Sequence, residues 1–505
     1  MNIDNLLTPV DALSQISLNS LSPVNCALLN SYNIKEDFIR QNFVDSTSAA
    51  QDLLRSSTPP GDYVEDYHSF GMVRPFQISA IVNGSIHARC PFTGDSLSSN
   101  TSFPIVSEGF TYVFYLFHSV HPFYLVAGGH TSVRCLMVFP SFSLLVTDNN
   151  AQPQSRPAHA SLLINTFNSC ILQNAESVLS YIYSRQRKTY LVTQNFPHLS
   201  WAVISGYAGL FYMQEKNLWH HIQGLILQDI TFASLEKLFP GLNLPILKGG
   251  DASELFQKSI SNELFVLQLS AYRLSNMYCQ YIAKISQDLY LKKWPSAARK
   301  LNRLREAGIP IISINLRTDK RVWVKQRDGL LFLIQSIMEC HPDLCVIFDG
   351  YTSLDGREIT PDIAKNVEEQ TQIVNYIAAS SSCNFTNVVG LPLLEKIGAI
   401  SHSNLYVLGY GAAITIPYTL RLPTVIHSSA AHAINQKIEI EAQFIREDNI
   451  LPLVISSTQQ ELSGGEEQYI KDNLDLSTTA HYNSSYDIDV AHLLQGVMHI
   501  LHPDA

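Results

Sequence analysis

Past residue 157 the chain alternates short apolar runs with helix-periodic segments, and it does so twice, which confines it to an α/β architecture. The first round passes from a helical segment at Thr166 to Ser184 through the strand KTYLVTQ and a helix-like stretch from Leu199 to Lys216. It continues with the strand GLILQ, the helix SLEKLF, the strand LPILK, and a strand and helix between Leu264 and Leu289. The second round starts at Pro310 with the strand IISINL, then a helix through Leu330 to Glu339, LCVIFDG, a helix from Ile363 to Ala379, TNVVGL, LLEKIGAI, NLYVLG, AAITIPYTL and PTVIH. Two Rossmann-like halves are the economical reading.

The segments around this core have a different texture. Residues 1–64, rich in Ser, Asn and Leu with a turn at SSTPPGDY, predict a helical lead-in and linker. Residues 65–150 carry strand-like runs (FQISAIV, IHARC, TYVFYLF, FYLVAGG, VRCLMVF and FSLLV) and predict a small antiparallel β module. The two α/β rounds then occupy residues 151–295 and 296–445. Residues 446–505 hold an acidic, Ser-rich loop region from Ser456 to Tyr486 and the amphipathic helix VAHLLQGVMHILH, expected to pack back across the domain boundary.

Charge and cysteine usage narrow the partners. Lys and Arg total 34 against 44 Asp and Glu among 505 residues, a net of −10, so the surface as a whole repels phosphate polymers and anionic lipid, and nucleic acid is not the expected partner. The eight cysteines are dispersed and several sit in apolar segments, which predicts reduced, buried thiols and a cytoplasmic protein. The amino terminus, MNIDNLLTPVDALSQ, lacks the basic flank of a secretory signal. The apolar stretches YVFYLF and Trp201 to Met213 fall short of the about 20 residues of a bilayer span, so no transmembrane segment is expected.

Chemistry concentrates where apolar strands end. In SINLRTDKRVWVKQRDGL, Ile311, Ile312, Ile314 and Leu316 read as a buried strand, and Arg317, Lys320, Arg321, Lys325 and Arg327 follow at its carboxyl end, where open α/β sheets put their ligand crevice. Arg317 is expected to grip phosphate at two points and Lys320 to act as a point charge, whereas Arg321, Lys325 and Arg327 read as solvated residues of a helix face. In NLYVLGYGAAITIPYTL, Gly409 and Gly411 allow a tight turn and close backbone approach, and Ala412 and Ala413 open a helix whose free N–H groups favour phosphate. Convergence of both stretches on one diphosphate is the expectation. Neither GxGxxG nor a Walker lysine is present.

Asp349 and Gly350 end another strand, where a carboxylate either accepts bonds from sugar hydroxyls or holds a neighbouring loop. Glu395, at the start of a helix, is a candidate for ribose hydroxyls or for capping. No metal site is expected: His118 and His121 point to opposite faces of a strand-rich segment near His130, and CPFTGD lacks paired cysteines.

The second half, with LRTDKR after one strand, FDG after another, then GLPLLEKIGAISHSNLYVLGYGAA and RLPTVIHSS, resembles the donor half of GT-B fold glycosyltransferases over roughly residues 300–440. The resemblance implies that residues 151–295 form the acceptor side and 296–445 the donor side, and that a nucleotide diphosphate sugar is the donor substrate, with no further cofactor. It also implies that Arg317, Lys320, Gly409, Gly411, Ala412 and Ala413 hold the diphosphate. The second acid of a Glu-x7-Glu pattern is absent near Ala413, which favours an inverting reaction. Such a reaction needs a base, and His198, in the loop NFPHLSW after a first-half strand, is the candidate, with Asn195 orienting substrate hydroxyls. The acceptor is a glycan, a lipid-linked sugar or a protein side chain. Nucleotide-sugar epimerisation on the same scaffold and a noncatalytic carbohydrate-binding or scaffold role are the alternatives.

Overall fold

Eighteen strands organise the chain among the described residues of the computed structural model, which are 2–43, 73–128, 133–147, 157–192, 199, 202–227, 232–271, 273–356, 358, 360–433, 436–446, 448, 450–457 and 485–502. In chain order the strands are β1 (Ser14–Ser17), β2 (Ile86–Arg89), β3 (Ser96–Ser99), β4 (Ser102–Ser107), β5 (Phe110–Phe117), β6 (Phe123–Gly128), β7 (Val133–Phe139) and β8 (Leu144–Thr147). Next come β9 (Lys188–Val192), β10 (Gly224–Leu227), β11 (Ile246–Lys248) and β12 (Leu264–Gln268). The last six are β13 (Ile311–Asn315), β14 (Cys345–Asp349), β15 (Asn384–Asn387), β16 (Leu405–Gly409), β17 (Thr424–Ser428) and β18 (Leu453–Ser456).

The chain divides into two units, one made of Met1–Pro197, Trp201–Ile230 and Asn243–Tyr272 and the other of His198–Ser200, Thr231–Leu242 and Arg273–Ala505. The first contains a six-stranded sheet in the order β1-β8-β7-β6-β5-β4, antiparallel throughout except that β1 runs parallel to β8. Strand β1 corrects the expectation of a purely helical lead-in: its buried Ile16 pairs with Val146, which extends the sheet by one strand. FQISAIV is a second correction, because it lies in the helix Pro75–Asn83 rather than in a strand. Pro75 at the first helical position and the Gln77 carboxamide, which accepts from the Arg74 N–H at 3.2 Å, start that helix and outweigh the β-branched residues.

Helices Pro157–Gln173, Ala175–Tyr183 and Ala252–Ser261 share one aromatic core with this sheet, in which the rings of Phe114 and Phe167 stack at 3.9 Å. The same unit holds a parallel sheet in the order β11-β10-β9-β12. Ser102 on β4 accepts from the Val266 N–H on β12 at 2.6 Å, and the buried Tyr181 hydroxyl donates to the Leu264 carbonyl at 2.6 Å, so the antiparallel and parallel sheets are joined through polar contacts in the core.

The second unit is a six-stranded, wholly parallel sheet in the order β15-β14-β13-β16-β17-β18. Counted from its first strand this is 3-2-1-4-5-6, the doubly wound Rossmann order, and the four strands of the other parallel sheet follow the 3-2-1-4 part of the same pattern. Strands β13, β14, β16 and β17 are buried along their whole length, which is why they read as unbroken apolar runs. The helix Val490–Leu501 places Leu493 and Val497 in the core of this second sheet, beside the helix Gln326–Cys340, and so covers the sheet of its own unit. Among the described residues no helix is long and apolar enough to cross a membrane, and all eight cysteines are free thiols.

Candidate functional site

Strand order in the second unit reverses between β13 and β16, and the loops leaving the carboxyl ends of these two strands meet there. Arg317, one residue beyond Leu316 at the end of β13, donates from Nη1 to the carbonyl oxygen of Tyr410 at 3.2 Å. Arg321 donates to the same oxygen at 3.5 Å, and its guanidinium lies 5.9 Å from the centre of the Tyr410 ring. Two guanidinium groups therefore sit side by side at the crevice.

The backbone of Arg317 is held before any ligand arrives. Its N–H donates to Gln326 Oε1 and its carbonyl accepts from Gln326 Nε2, both at 3.0 Å, and Gln326 is buried at the start of the helix Gln326–Cys340. Farther along the loop, the Tyr486 N–H donates to Val322 O and the Val324 N–H to Tyr486 O. The indole N–H of the fully buried Trp323 donates to Asp487 at 2.8 Å, and Lys325 pairs with the same carboxylate. On the other side, Gln370 bridges to the loop after β14: its Nε2 donates to Leu316 O at 3.2 Å and its Oε1 accepts from the Tyr351 N–H at 2.7 Å. Such bracing keeps the guanidinium of Arg317 from losing much freedom on binding.

Arg321 differs from the helix-face residue expected of it. The helix begins at Gln326, so Arg321 lies in the loop, half-buried, with a left-handed φ of 53° that turns it toward Tyr410. Lys325 and Arg327 are exposed, paired with Asp487 and Asp328 respectively. Lys320 is exposed at the loop tip with no hydrogen bond or ion pair among the described residues. Asp319 approaches Arg317 Nε at 3.6 Å and is itself half exposed.

Gly411 adjoins Arg317 as expected, for a different reason. Its φ of 165° is extended backbone, but a Cβ there would stand 2.0 Å from Arg317 Nη1. The residue is glycine so that the guanidinium can reach the Tyr410 carbonyl. Gly409 likewise needs no positive φ; a Cβ would meet the Tyr486 hydroxyl at 3.0 Å. That hydroxyl is 2.8 Å from Nδ1 of His427, whose imidazole is held neutral, its pKa pushed down to about 3 by burial first and then by the charge of Arg317. Ala412 and Ala413 are half-buried in a single 3-10 turn, and the helix after it, Thr415–Leu420, has six residues before Arg421 turns left-handed. So short a helix has little dipole, which leaves the arginines as the main source of positive charge.

Two candidates are corrected by their burial. Asp349 is fully buried; Lys396 Nζ lies 2.6 Å from its Oδ1, and Asn315 and the Tyr406 hydroxyl donate to its Oδ2. Lys396 Nζ also donates to the carbonyls of Gly350 and Tyr351, each at 2.6 Å. Of the two roles open to Asp349, holding a loop is the one this geometry performs, and its carboxylate has no surface for a sugar hydroxyl. Gly350 is glycine because a Cβ would meet Gln370 Oε1 at 2.2 Å. Glu395 is also buried, with one oxygen paired to Lys293 and the other accepting from Trp294 Nε1 at 2.8 Å, so both of its oxygens are committed away from a ribose. His198 and Asn195 lie outside the described residues, as does His130.

Of the residues that meet at this crevice, the sequence singles out Arg317 and Gly411 but not Tyr410, Gln326, Gln370, His427 or Tyr486. The available signal was GYG itself, a large residue between two glycines directly after a strand. Gln326 and Gln370 carry none, since buried carboxamides act through partners that only the fold supplies.

No family model matches the sequence, and no curated protein does. Solved structures similar to it include a glycosyl transferase family 9 protein from Veillonella parvula DSM 2008, at 10% identity and TM-score 0.34 over 64% of this chain and 99% of that one. The E. coli ADP-heptose LPS heptosyltransferase II is similar at 12% identity and TM-score 0.30, over 63% and 100%. The Methanocaldococcus jannaschii UDP-GlcNAc 2-epimerase, in complex with UDP-GlcNAc and UDP, is similar at 12% and 0.21, over 52% and 65%. Likeness at this level carries no functional argument; the two Rossmann-like sheets rest on the strand order itself.

Proposed function

We propose that this chain is a metal-independent, inverting glycosyltransferase of GT-B type, with residues 296–445 as the donor half and 151–295 as the acceptor half. It moves a sugar from a nucleotide diphosphate to a glycan, lipid-linked or protein acceptor. The observation that carries this reading is the pair Arg317 and Arg321 at the strand-order reversal, both reaching the Tyr410 carbonyl. Departure of a nucleoside diphosphate develops one more negative charge on a diphosphate that already carries two, and fixed guanidinium groups compensate it without reorganising. Lys320, exposed and with no hydrogen bond or ion pair among the described residues, is placed to swing onto the same ligand. Gly411, Ala412 and Ala413 give the backbone close access on the other side of the crevice. His198 takes the acceptor proton and Asn195 orients its hydroxyls, roles that rest on the sequence alone.

A thermal-shift panel of UDP-, GDP-, ADP- and CMP-sugars tests the reading, because a ligand of the native state raises the melting temperature by mass action. A stabilising nucleotide sugar that is also turned over with an acceptor supports transfer. Isomerisation of the sugar without acceptor points to an epimerase, binding without turnover to a noncatalytic protein, and silence across the panel contradicts both enzyme readings, transferase and epimerase.

A further inference from the structure

The second unit carries a cationic surface that the nucleotide site does not use. From Leu291 to Glu306 the chain holds Lys292, Lys293, Arg299, Lys300, Arg303 and Arg305 against one acid, Glu306, in a protein of net charge −10. The run spans the end of the helix Asn276–Lys293 and all of the helix Pro295–Glu306, with Trp294 as the single residue between them and Pro295 starting the second. Ala298 and Leu301 are buried beneath the second helix, so Arg299 and Arg303 stand outward. With Ser296, Asn302 and Glu306 they share one exposed face of that helix.

Five of these six cations have no ion-pair partner among the described residues: Lys293 pairs with Glu395, but Lys292, Arg299, Lys300, Arg303 and Arg305 form no such pair. The second helix, 12 residues or about 18 Å long, is roughly twice the Debye length at physiological salt, so the acidic remainder of the surface does not cancel its local field. At the corner between the helices, Leu291 and Trp294 are exposed by 48% and 44%. The indole N–H of Trp294 is satisfied by Glu395, so the part of the ring left to the outside is its apolar body.

Cations flanked by an exposed Trp and Leu are the composition of an interfacial anchor. Nucleic acid would use the charges and the ring but has no use for an aliphatic side chain beside them. We propose that this corner docks the protein on an anionic lipid surface, with Lys292, Arg299 and Arg303 against headgroup charge and Leu291 and Trp294 in the interfacial layer. The assignment is independent of the nucleotide reading.

Flotation with vesicles tests it directly, comparing pure phosphatidylcholine with phosphatidylcholine containing about 30% phosphatidylglycerol. The expected result is co-flotation with the anionic vesicles alone, reversed at about 1 M salt, where screening falls to roughly 3 Å. Each unit of charge near such a surface is worth roughly fivefold in partitioning, so Lys292→Glu/Arg299→Glu/Arg303→Glu, a change of six charges, lowers it on the order of 10,000-fold at unchanged melting temperature. Should that variant misfold, the triple Gln variant gives the same reading with a smaller loss. Absence of flotation, equal flotation with neutral vesicles, wild-type flotation by a folded triple variant, or tighter binding to RNA than to anionic vesicles would each overturn the assignment.

Discussion

Arg317 and Tyr410 join two loops that leave adjacent parallel strands: a guanidinium nitrogen of the first donates to the carbonyl oxygen of the second at 3.2 Å. That contact depends on the missing Cβ of Gly411, on the double clamp of Gln326 around the Arg317 backbone, and on a strand order that puts β13 beside β16. A local sequence feature, an Arg directly after an apolar run, acquires its geometry from three stretches of chain: β13 itself, the helix start at Gln326, and β16 with the turn that follows it.

Replacement of Gly411 by Ala is expected to act on the ligand rather than on the fold. The extended φ of 165° tolerates any residue, and the added methyl meets only the far end of the Arg317 side chain. Nucleoside diphosphate affinity should fall about tenfold or more as the guanidinium moves off the Tyr410 carbonyl, with little change in melting temperature. A calorimetric titration run beside a thermal melt separates the two effects; a large drop in stability at unchanged affinity would refute this role for Gly411.

Lys396→Met should be severely destabilising. The ammonium is fully buried, bonded to Asp349, Gly350 and Tyr351, and its removal leaves a buried carboxylate with only neutral donors. Breaking such a pair costs about 3–5 kcal/mol, and changing both partners to apolar residues recovers part of the loss. Denaturant unfolding of Lys396→Met and of Lys396→Met/Asp349→Leu measures both; a single variant as stable as the parent would show that the network does not hold the loop after β14.

Two buried histidines set an acid limit. Burial, with Arg317, holds His427 down to about 3, and burial, with Arg305, holds His402 down to about 4. In the unfolded chain both bind a proton below about 6.5, whereas in the fold they stay neutral until far lower pH. The unfolded state therefore takes up more protons in that interval. Stability of the second unit should decline as pH falls from about 6.5 toward 4, by up to about 1.4 kcal/mol per pH unit for each group. His402→Gln should flatten that slope in urea melts taken across the interval, and an unchanged slope would mean that His402 is not held neutral.

Much of the architecture was legible because parallel strands buried on both faces leave unbroken apolar runs, as IISIN and CVIFD do. Strand β1 was not, since SQIS buries one residue and owes its form to pairing with β8. FQISAIV misled because a short apolar run fits strand and helix alike, and the decisive start signal, Pro75, precedes it. At the site, Arg317 was visible from its position after a strand. The commitment of Asp349 was not, because Lys396 and Tyr406, which claim it, come from other elements of the sheet and its cover. A strand-end carboxylate looks the same in sequence whether it faces a ligand or a buried lysine.

The central claim is that Arg317 grips a nucleoside diphosphate, and isothermal titration of UDP, GDP and ADP into wild type, Arg317→Ala and Arg327→Ala tests it most directly. Arg327 is an exposed cation on the helix that follows, paired with its neighbour Asp328, and serves as the control. At least one diphosphate should bind the wild type and Arg327→Ala alike, while Arg317→Ala loses about 2–4 kcal/mol, roughly 30- to 1,000-fold in Kd, at an unchanged melting temperature. Superimposable isotherms for the two variants, or no heat from any of the three diphosphates with the wild type, would contradict the assignment.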